Sequence, residues 1–315
     1  MKSPTTPGAF PSALEAIGNT PMVQLQRIVP KGYGRVFVKL EWYNPTGSKK
    51  DRMALAMIEG AEKRGDLRPG MSVVEFSGGS TGAGLAFVCG VKGYRFRLIS
   101  GDPFGKEKID MMRALGAEVE ILKSDDGKIS KSLVQAMIAR AKKIAEDPNT
   151  YWTDQLTNPD VPEGFIPLGE EILAQLEGNV DAVCDTIGTS GTLIGIAKAF
   201  KQADHKALVV ALEPSSSPIL TAGRSGSHHV DGVGLGFVPD KYDAALVDRA
   251  MAIEEEDARS MCRELAQKEG LFCGTSSGMN VAGAIALARE LGPDSTVVAV
   301  ACDTGLKYLQ SGLFN

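Results

Sequence analysis

The chain has 315 residues, 43% of them hydrophobic and 23% charged, with a formal net charge of −5. That balance suits a globular protein with a sizeable core, and at roughly 150 residues per domain the length suggests two domains. The acidic total, without any basic tract, argues against a nucleic-acid partner. No run approaches the roughly 18 apolar residues of a membrane span. Three histidines leave little for a metal site, so none is expected. The five scattered cysteines, free of C-x-x-C spacing, read as reduced thiols in a cytoplasmic protein. The opening MKSPTTPGAFPSALEAIG has too many prolines and too short an apolar run to read as a signal peptide.

In chain order, VFVKLEW (36–42) reads as a strand and DRMALAMIEGAEKRG (51–65) as a helix closed by glycine. MSVVEF (71–76) is a strand feeding a glycine-rich turn and a helix from about Thr81. FRLIS (96–100), the helix KEKIDMMRALG (106–116) and AEVEIL (117–122) repeat the unit, and a long helix follows over 131–147. The second half alternates similarly: DAVCDTI (181–187), a helix near 192–202, ALVVALEP (207–214), helices near 255–269 and 278–291, and TVVAVAC (296–302). Near-continuous apolar strands between helices imply mostly parallel sheets covered on both faces, an α/β fold. The extended YWTDQLTNP (151–159) marks the expected seam between two domains.

Ligands in such folds bind where strand ends meet helix N-termini. SGGSTGAG (77–84) and GTSGTLIG (188–195) both follow apolar strands and open helices. Helix N-termini offer free N–H groups and partial positive charge to anions. Neither loop matches G-x-G-x-x-G or the P-loop, so two separate anions, such as a phosphate and a carboxylate, fit better than a dinucleotide.

NPTGSKKDR (44–52) raises a different question. Ser48 and Asp51 have capping-box spacing, which predicts a helix beginning at Ser48 with Lys49 and Lys50 in its first turn. The helix dipole disfavours cations there. A desolvated lysine in that place favours its amine form, as Schiff-base chemistry requires. From Lys50 the helical ladder runs through Met53, Ala54, Met57, Ile58 and Ala61, an apolar stripe, whereas the ladder from Lys49 is mixed. Lys50 is therefore expected to be the more buried of the two.

From IGNTPMVQL (17–25) to DTGLKYLQSGLF (303–314), through NPTGSKKDR, GTSGT and GTSSG, the chain resembles the cysteine synthase and cystathionine β-synthase family. The resemblance implies the pyridoxal-phosphate fold type II, like the tryptophan synthase β chain: two doubly wound domains with the cofactor in the cleft between them. Residues 41–151 would form a smaller, mobile domain and 152–315 a larger one, with 1–40 crossing over to the larger. By resemblance Lys50 is the catalytic, cofactor-bearing lysine, while Lys49 fills a position usually apolar. Gly188, Thr189, Ser190, Gly191 and Thr192 would bind the cofactor phosphate, and Ser276 would face the pyridine nitrogen. Ser77, Gly78, Gly79, Ser80, Thr81 and Gln155 would bind the substrate carboxylate, and Asp231 and Gly232 would line the mouth.

Two positions depart from the family pattern. Ser80 stands where relatives carry an asparagine that bonds the cofactor's phenolic oxygen, and Asp231 replaces a glutamine. A carboxylate at the mouth, unless paired with Lys49 or His229, would repel hydrosulfide and attract a cationic amine. The chain has no room for the appended regulatory domains of some cystathionine β-synthases.

The implied activity is β-replacement on an activated L-serine, most simply O-acetyl-L-serine with sulfide giving L-cysteine. The alternatives are O-phosphoserine as donor, a non-sulfide nucleophile, or a silent cofactor-binding protein. A homodimer is the implied assembly.

Overall fold

The computed structural model describes residues 8–125, 127, 128 and 130–314. In chain order the elements are β1 (Met22–Gln24), β2 (Arg35–Leu40), α1 (Lys50–Arg64), β3 (Ser72–Phe76), α2 (Ser80–Lys92), β4 (Arg95–Gly101), α3 (Lys106–Ala114), β5 (Glu118–Leu122), α4 (Lys131–Ile144) and β6 (Thr150–Trp152). They continue with α5 (Asp160–Glu163), α6 (Ile166–Gln175), β7 (Ala182–Thr186), α7 (Gly191–Gln202), β8 (Leu208–Pro214), α8 (Ile219–Ala222), β9 (Arg249–Ile253), α9 (Glu255–Glu264), α10 (Thr275–Leu291) and β10 (Thr296–Ala301). Short 3-10 turns cover Glu41–Tyr43 and Gly305–Tyr308.

The strands form two sheets. One has four parallel strands in the order β5-β4-β3-β6. The other has six in the order β1-β2-β10-β7-β8-β9, parallel except for β1 against β2. This is the expected α/β fold of mostly parallel sheets, and β1 and β2 belong to the six-stranded sheet. The apolar strands are buried as their sequences require: all six residues of β10 and all five of β7 are inaccessible.

The largest core cluster joins the two halves, from Met53 and Leu85 through Val73 and Leu98 to Val183 and Val298. Met53, Ala54, Met57, Ile58 and Ala61 are all fully buried, so the stripe read from α1 is its inner face. Each large aliphatic so placed contributes about 1.5–3 kcal/mol of transfer free energy. Separate clusters cover the outer faces, one around Val36 and Val281 on the six-stranded sheet and one around Val74 and Met137 on the four-stranded sheet.

Several local expectations need correction. α1 begins at Lys50, not Ser48, with Lys49 as its N-cap. The Ser48 hydroxyl accepts from the Lys50 N–H at 3.2 Å. Asp51 turns back to the N–H of Thr46 at 2.7 Å and to its hydroxyl, so there is no reciprocal box with Ser48. Tyr151 and Trp152 at the start of the extended 151–159 segment belong to β6, an edge strand beside β3. The 255–269 helix is α as far as Glu264 and a π turn over Leu265–Glu269.

No helix among the described residues is long and apolar enough to cross a membrane. The same residues hold no cluster of histidine, cysteine and carboxylate groups suited to a metal ion.

Candidate active site

The end of β7, the segment after β10 and the start of α1 meet at Lys49, next to Lys50. The 44–49 turn, with Gly47 at φ 72°, is laced to the segment after β10. Lys49 N–H donates to the Cys302 carbonyl at 2.9 Å, and Thr304 N–H donates to the Gly47 carbonyl at 3.0 Å. Ser48 forms a β-bridge with Asp303.

The two lysines have opposite environments. Lys49 is 5% exposed and its ammonium donates to both oxygens of Asp185, at 2.7 and 2.9 Å. Burial opposes that charge, but Asp185 outweighs it and holds the pKa above the ordinary lysine value. Lys50 is half-buried, so the expectation that it would be the more buried is overturned. Lys49 is the N-cap of α1, and its side chain is drawn inward by a carboxylate in the sheet, a partner the helical ladder does not reveal. Among the described residues the Lys50 amine has no hydrogen-bonding or ion-pair partner. Desolvation, then the Lys49 charge, lowers its pKa to about 8. At pH 7 roughly a tenth of the protein then carries the free amine that imine formation requires, far more than for a lysine at its ordinary value.

The Gly188–Thr192 loop leads from β7 into α7. Ser190 is left-handed at φ 65°, which turns the chain into the helix. The hydroxyls of Thr186, at the end of β7, and Ser190, the N-cap of α7, are buried without a partner, so two polar atoms at the ends of this loop are left for a ligand. The 232–236 segment closes over the loop: Gly234 N–H donates to the Ile187 carbonyl at 2.9 Å, and a Cβ on Gly188 would strike the Gly232 carbonyl. Ser276, 6% exposed, is in the first turn of α10 with its hydroxyl against the Cys302 thiol. Burial pushes that thiol up to about 11, so it is uncharged near neutrality. An unpartnered amine, an anion cradle with orphaned hydroxyls and a neutral hydroxyl at a third strand end fit a phosphate ester bearing an aldehyde, as pyridoxal phosphate is.

The Ser77–Thr81 loop is built as a second cradle. Ser77 Oγ accepts from the N–H groups of Gly79 and Gly82, each at 3.1 Å. The N–H groups of Ser80 and Thr81 at the start of α2 have no acceptor among the described residues, which suits a carboxylate. Gly78 has no room for a Cβ, which would strike the Phe104 ring. Thr81 Oγ1 donates to Gln155 Oε1 at 2.8 Å, so Gln155 is brought to the loop. Ser80 has other engagements: it donates to Asp303 Oδ2 at 3.2 Å and accepts from Lys307 Nζ at 3.1 Å.

Asp231 is not paired with Lys49 or His229. His229 faces Glu255 at 3.3 Å, and Asp231 is bound by Lys108 of α3 at 2.5 Å. Lys108 also lies 4.6 Å above the Tyr308 ring, whose hydroxyl donates to Asp303 at 3.0 Å. The sequence reading missed Lys108, Asp185, Asp303, Lys307 and Tyr308. A detectable signal was Asp185 itself, a carboxylate inside the apolar strand AVCDT that needs a buried cation.

The chain matches the family described as "Pyridoxal-phosphate dependent enzyme" over residues 13–303. It is 38% identical over 303 residues to a cysteine synthase of Staphylococcus aureus, covering 96% of each chain. The fold superposes with a TM-score of 0.92 on a cysteine synthase of Entamoeba histolytica at 32% identity, covering 100% of this chain and 94% of that one. It superposes with a TM-score of 0.90 on an O-ureido-L-serine synthase at 36% identity, covering 98% and 96%. A match across nearly the whole chain, together with a site shaped for an aldehyde and a phosphate, makes this protein a member of the pyridoxal-phosphate dependent enzymes.

Proposed function

We propose that the protein catalyses β-replacement on an activated L-serine, most simply converting O-acetyl-L-serine and sulfide to L-cysteine and acetate. The observation that carries the reading is the Lys50 amine, half-buried, without a partner among the described residues and beside a fixed ammonium. The bound cofactor would supply an electron sink that lets a Cα proton leave and a β-substituent depart.

In this reading Lys50 is the catalytic residue. Its Nζ would hold the cofactor through the aldehyde and, as a free amine, would take the Cα proton and return it. Gly188, Thr189, Ser190, Gly191 and Thr192 hold the phosphate. Ser276 would face the ring nitrogen with an uncharged hydroxyl, which would favour departure of the β-substituent over transamination. Ser77–Thr81 and Gln155 orient the substrate carboxylate. With Asp231 neutralised by Lys108, the mouth does not repel hydrosulfide.

The likeness to O-ureido-L-serine synthase favours one second reading, a neutral nucleophile other than sulfide at the same site. The proposal includes a smaller domain of residues 41–151 that closes on a larger one, a homodimer, and a cytoplasmic location. Five free, buried cysteines suit that location.

The test is a panel of O-acetylserine and O-phosphoserine against sulfide, thiol, amine and hydroxyurea nucleophiles, with product masses measured. Cysteine from O-acetylserine and sulfide as the fastest product is expected; no product from any pair would refute the reading.

A further inference from the structure

The pair formed by Lys49 and Asp185 has no evident place in the functional reading above. Its two side chains are 6% and 1% exposed, and the bond joins the start of α1 to the end of β7. Asp185 is itself immobilised: Asn280 Nδ2 donates to its Oδ1 at 2.6 Å and to the Val300 carbonyl at 2.7 Å. Asn280 Oδ1 in turn accepts from Thr186 N–H at 2.8 Å. Stability does not explain such a pair, because well-packed apolar side chains in place of a buried ion pair are often neutral or stabilising. What the pair does achieve is to lock one positive charge at the residue adjoining Lys50.

We propose that Lys49 is a positioning residue for Lys50: its ammonium, fixed against Asp185, is a permanent positive charge that keeps the neighbouring amine ready for covalent capture of the cofactor aldehyde. The inference rests on Lys50 being the cofactor lysine. Consecutive Cα atoms are only about 3.8 Å apart, and Lys49 is itself fixed on both sides, by Asp185 of β7 through its ammonium and by the Cys302 carbonyl after β10 through its N–H.

Four ionisable groups act electrostatically on the Lys50 amine: Lys49 from its own turn, Cys302 and Asp303 from the segment after β10, and Asp185 from β7. Cys302 is a neutral thiol near neutral pH, so the charges that act are Lys49 against Asp185 and Asp303. Lys49 exceeds either carboxylate in its effect on Lys50. A positive neighbour disfavours a second ammonium, and a carboxylate favours it. The two members of the pair therefore act on Lys50 with opposite signs, which a purely structural brace would not do.

The experiment compares full-length wild type, Lys49→Met, Asp185→Asn and the doubly apolar Lys49→Met/Asp185→Leu, each freed of cofactor. The rate of covalent uptake of added pyridoxal 5'-phosphate is followed by absorbance from about pH 6 to about pH 10, and thermal melts report the fold. The cofactor's own ionisations are common to all four proteins and cancel in the comparison. The Lys49→Met midpoint should move up by about half a unit or more, roughly a threefold loss of free amine near neutrality. The Asp185→Asn midpoint should move down. If either single variant does not fold, the double variant carries the test, with a midpoint above wild type expected. Midpoints that coincide with wild type, or single variants that shift in the same direction, overturn the proposal. Wild type that takes up no cofactor at Lys50 overturns the underlying reading as well, whereas normal uptake with unshifted midpoints overturns only the role of Lys49.

Discussion

Lys108, on α3 beside the four-stranded sheet, is ion-paired at 2.5 Å to Asp231, in the loop that closes over the end of β7 in the six-stranded sheet. The bond joins α3 to the 226–238 segment, with Lys108 resting on Tyr308. Asp231 is 45% exposed, and a pair of that kind is worth roughly 0–1 kcal/mol. Asp231→Asn should therefore speed hydrogen exchange in α3 and in residues 226–238 by up to about fivefold, and high salt should do the same to wild type. Exchange unaltered by both would show that the pair does not fasten these two segments together.

The same pair bears on the nucleophile. Asp231→Gln leaves the Lys108 ammonium uncompensated at the entrance. The step that consumes hydrosulfide should then speed up at low salt, and a cationic amine nucleophile should react more slowly. Transient kinetics with each nucleophile at two ionic strengths checks this, and equal effects on both would remove Asp231 and Lys108 from nucleophile selection.

The phosphate cradle can be tested at Gly188, where a Cβ would strike the Gly232 carbonyl. Gly188→Ala should separate the loop from the 232–236 segment and weaken cofactor binding at least tenfold, about 1.4 kcal/mol. An unchanged dissociation constant would contradict the placement. Gly191→Asp is a poorer probe, because a Cβ on Gly191 would meet Val161 of α5 and the variant would disturb packing first.

Arg52, two residues after Lys50, holds α1 in place through two carboxylates. It bonds Glu41 at 2.7 and 2.9 Å and Glu171 at 2.8 Å through two nitrogens, while Lys39 Nζ reaches Glu171 at 2.6 Å. Burial works against the Glu171 charge, but Arg52 and Lys39 outweigh it and hold its pKa at about 2, below the ordinary 4.5. A carboxylate with a depressed folded-state pKa contributes stability that is present above the unfolded value and lost as pH falls through the folded value. Wild type should lose roughly 3 kcal/mol from this group between about pH 4.5 and pH 2. Glu171→Gln should be less stable at neutral pH and flatter across that acid range. Acid melts of equal slope for the two proteins would contradict this.

Much of this site was legible because its parts are glycine-rich turns after apolar strands, and both cues are local. GTSGT, SGGST and the apolar stripe of α1 are where their sequences place them. What was not legible depends on partners distant in sequence. Lys49 was read on a helical ladder although it lies outside the helix, and its partner Asp185 is 136 residues away. Asp231 was weighed against two possible partners, and the actual one, Lys108, comes from the other sheet's helices. α6 was overlooked because proline in its first turn and Gly169 in its middle disguise the helical pattern. β6 is three residues long and takes its identity from pairing with β3.

The assignment of Lys50 can be read directly by reducing the yellow holoenzyme with borohydride, digesting it, and locating the phosphopyridoxyl group by fragment mass across the 44–52 peptide. The group should be on the Lys50 Nζ, with Lys49 unmodified and the tag absent from Lys50→Ala. A tag on Lys49, or a protein that carries none, would contradict the site described here.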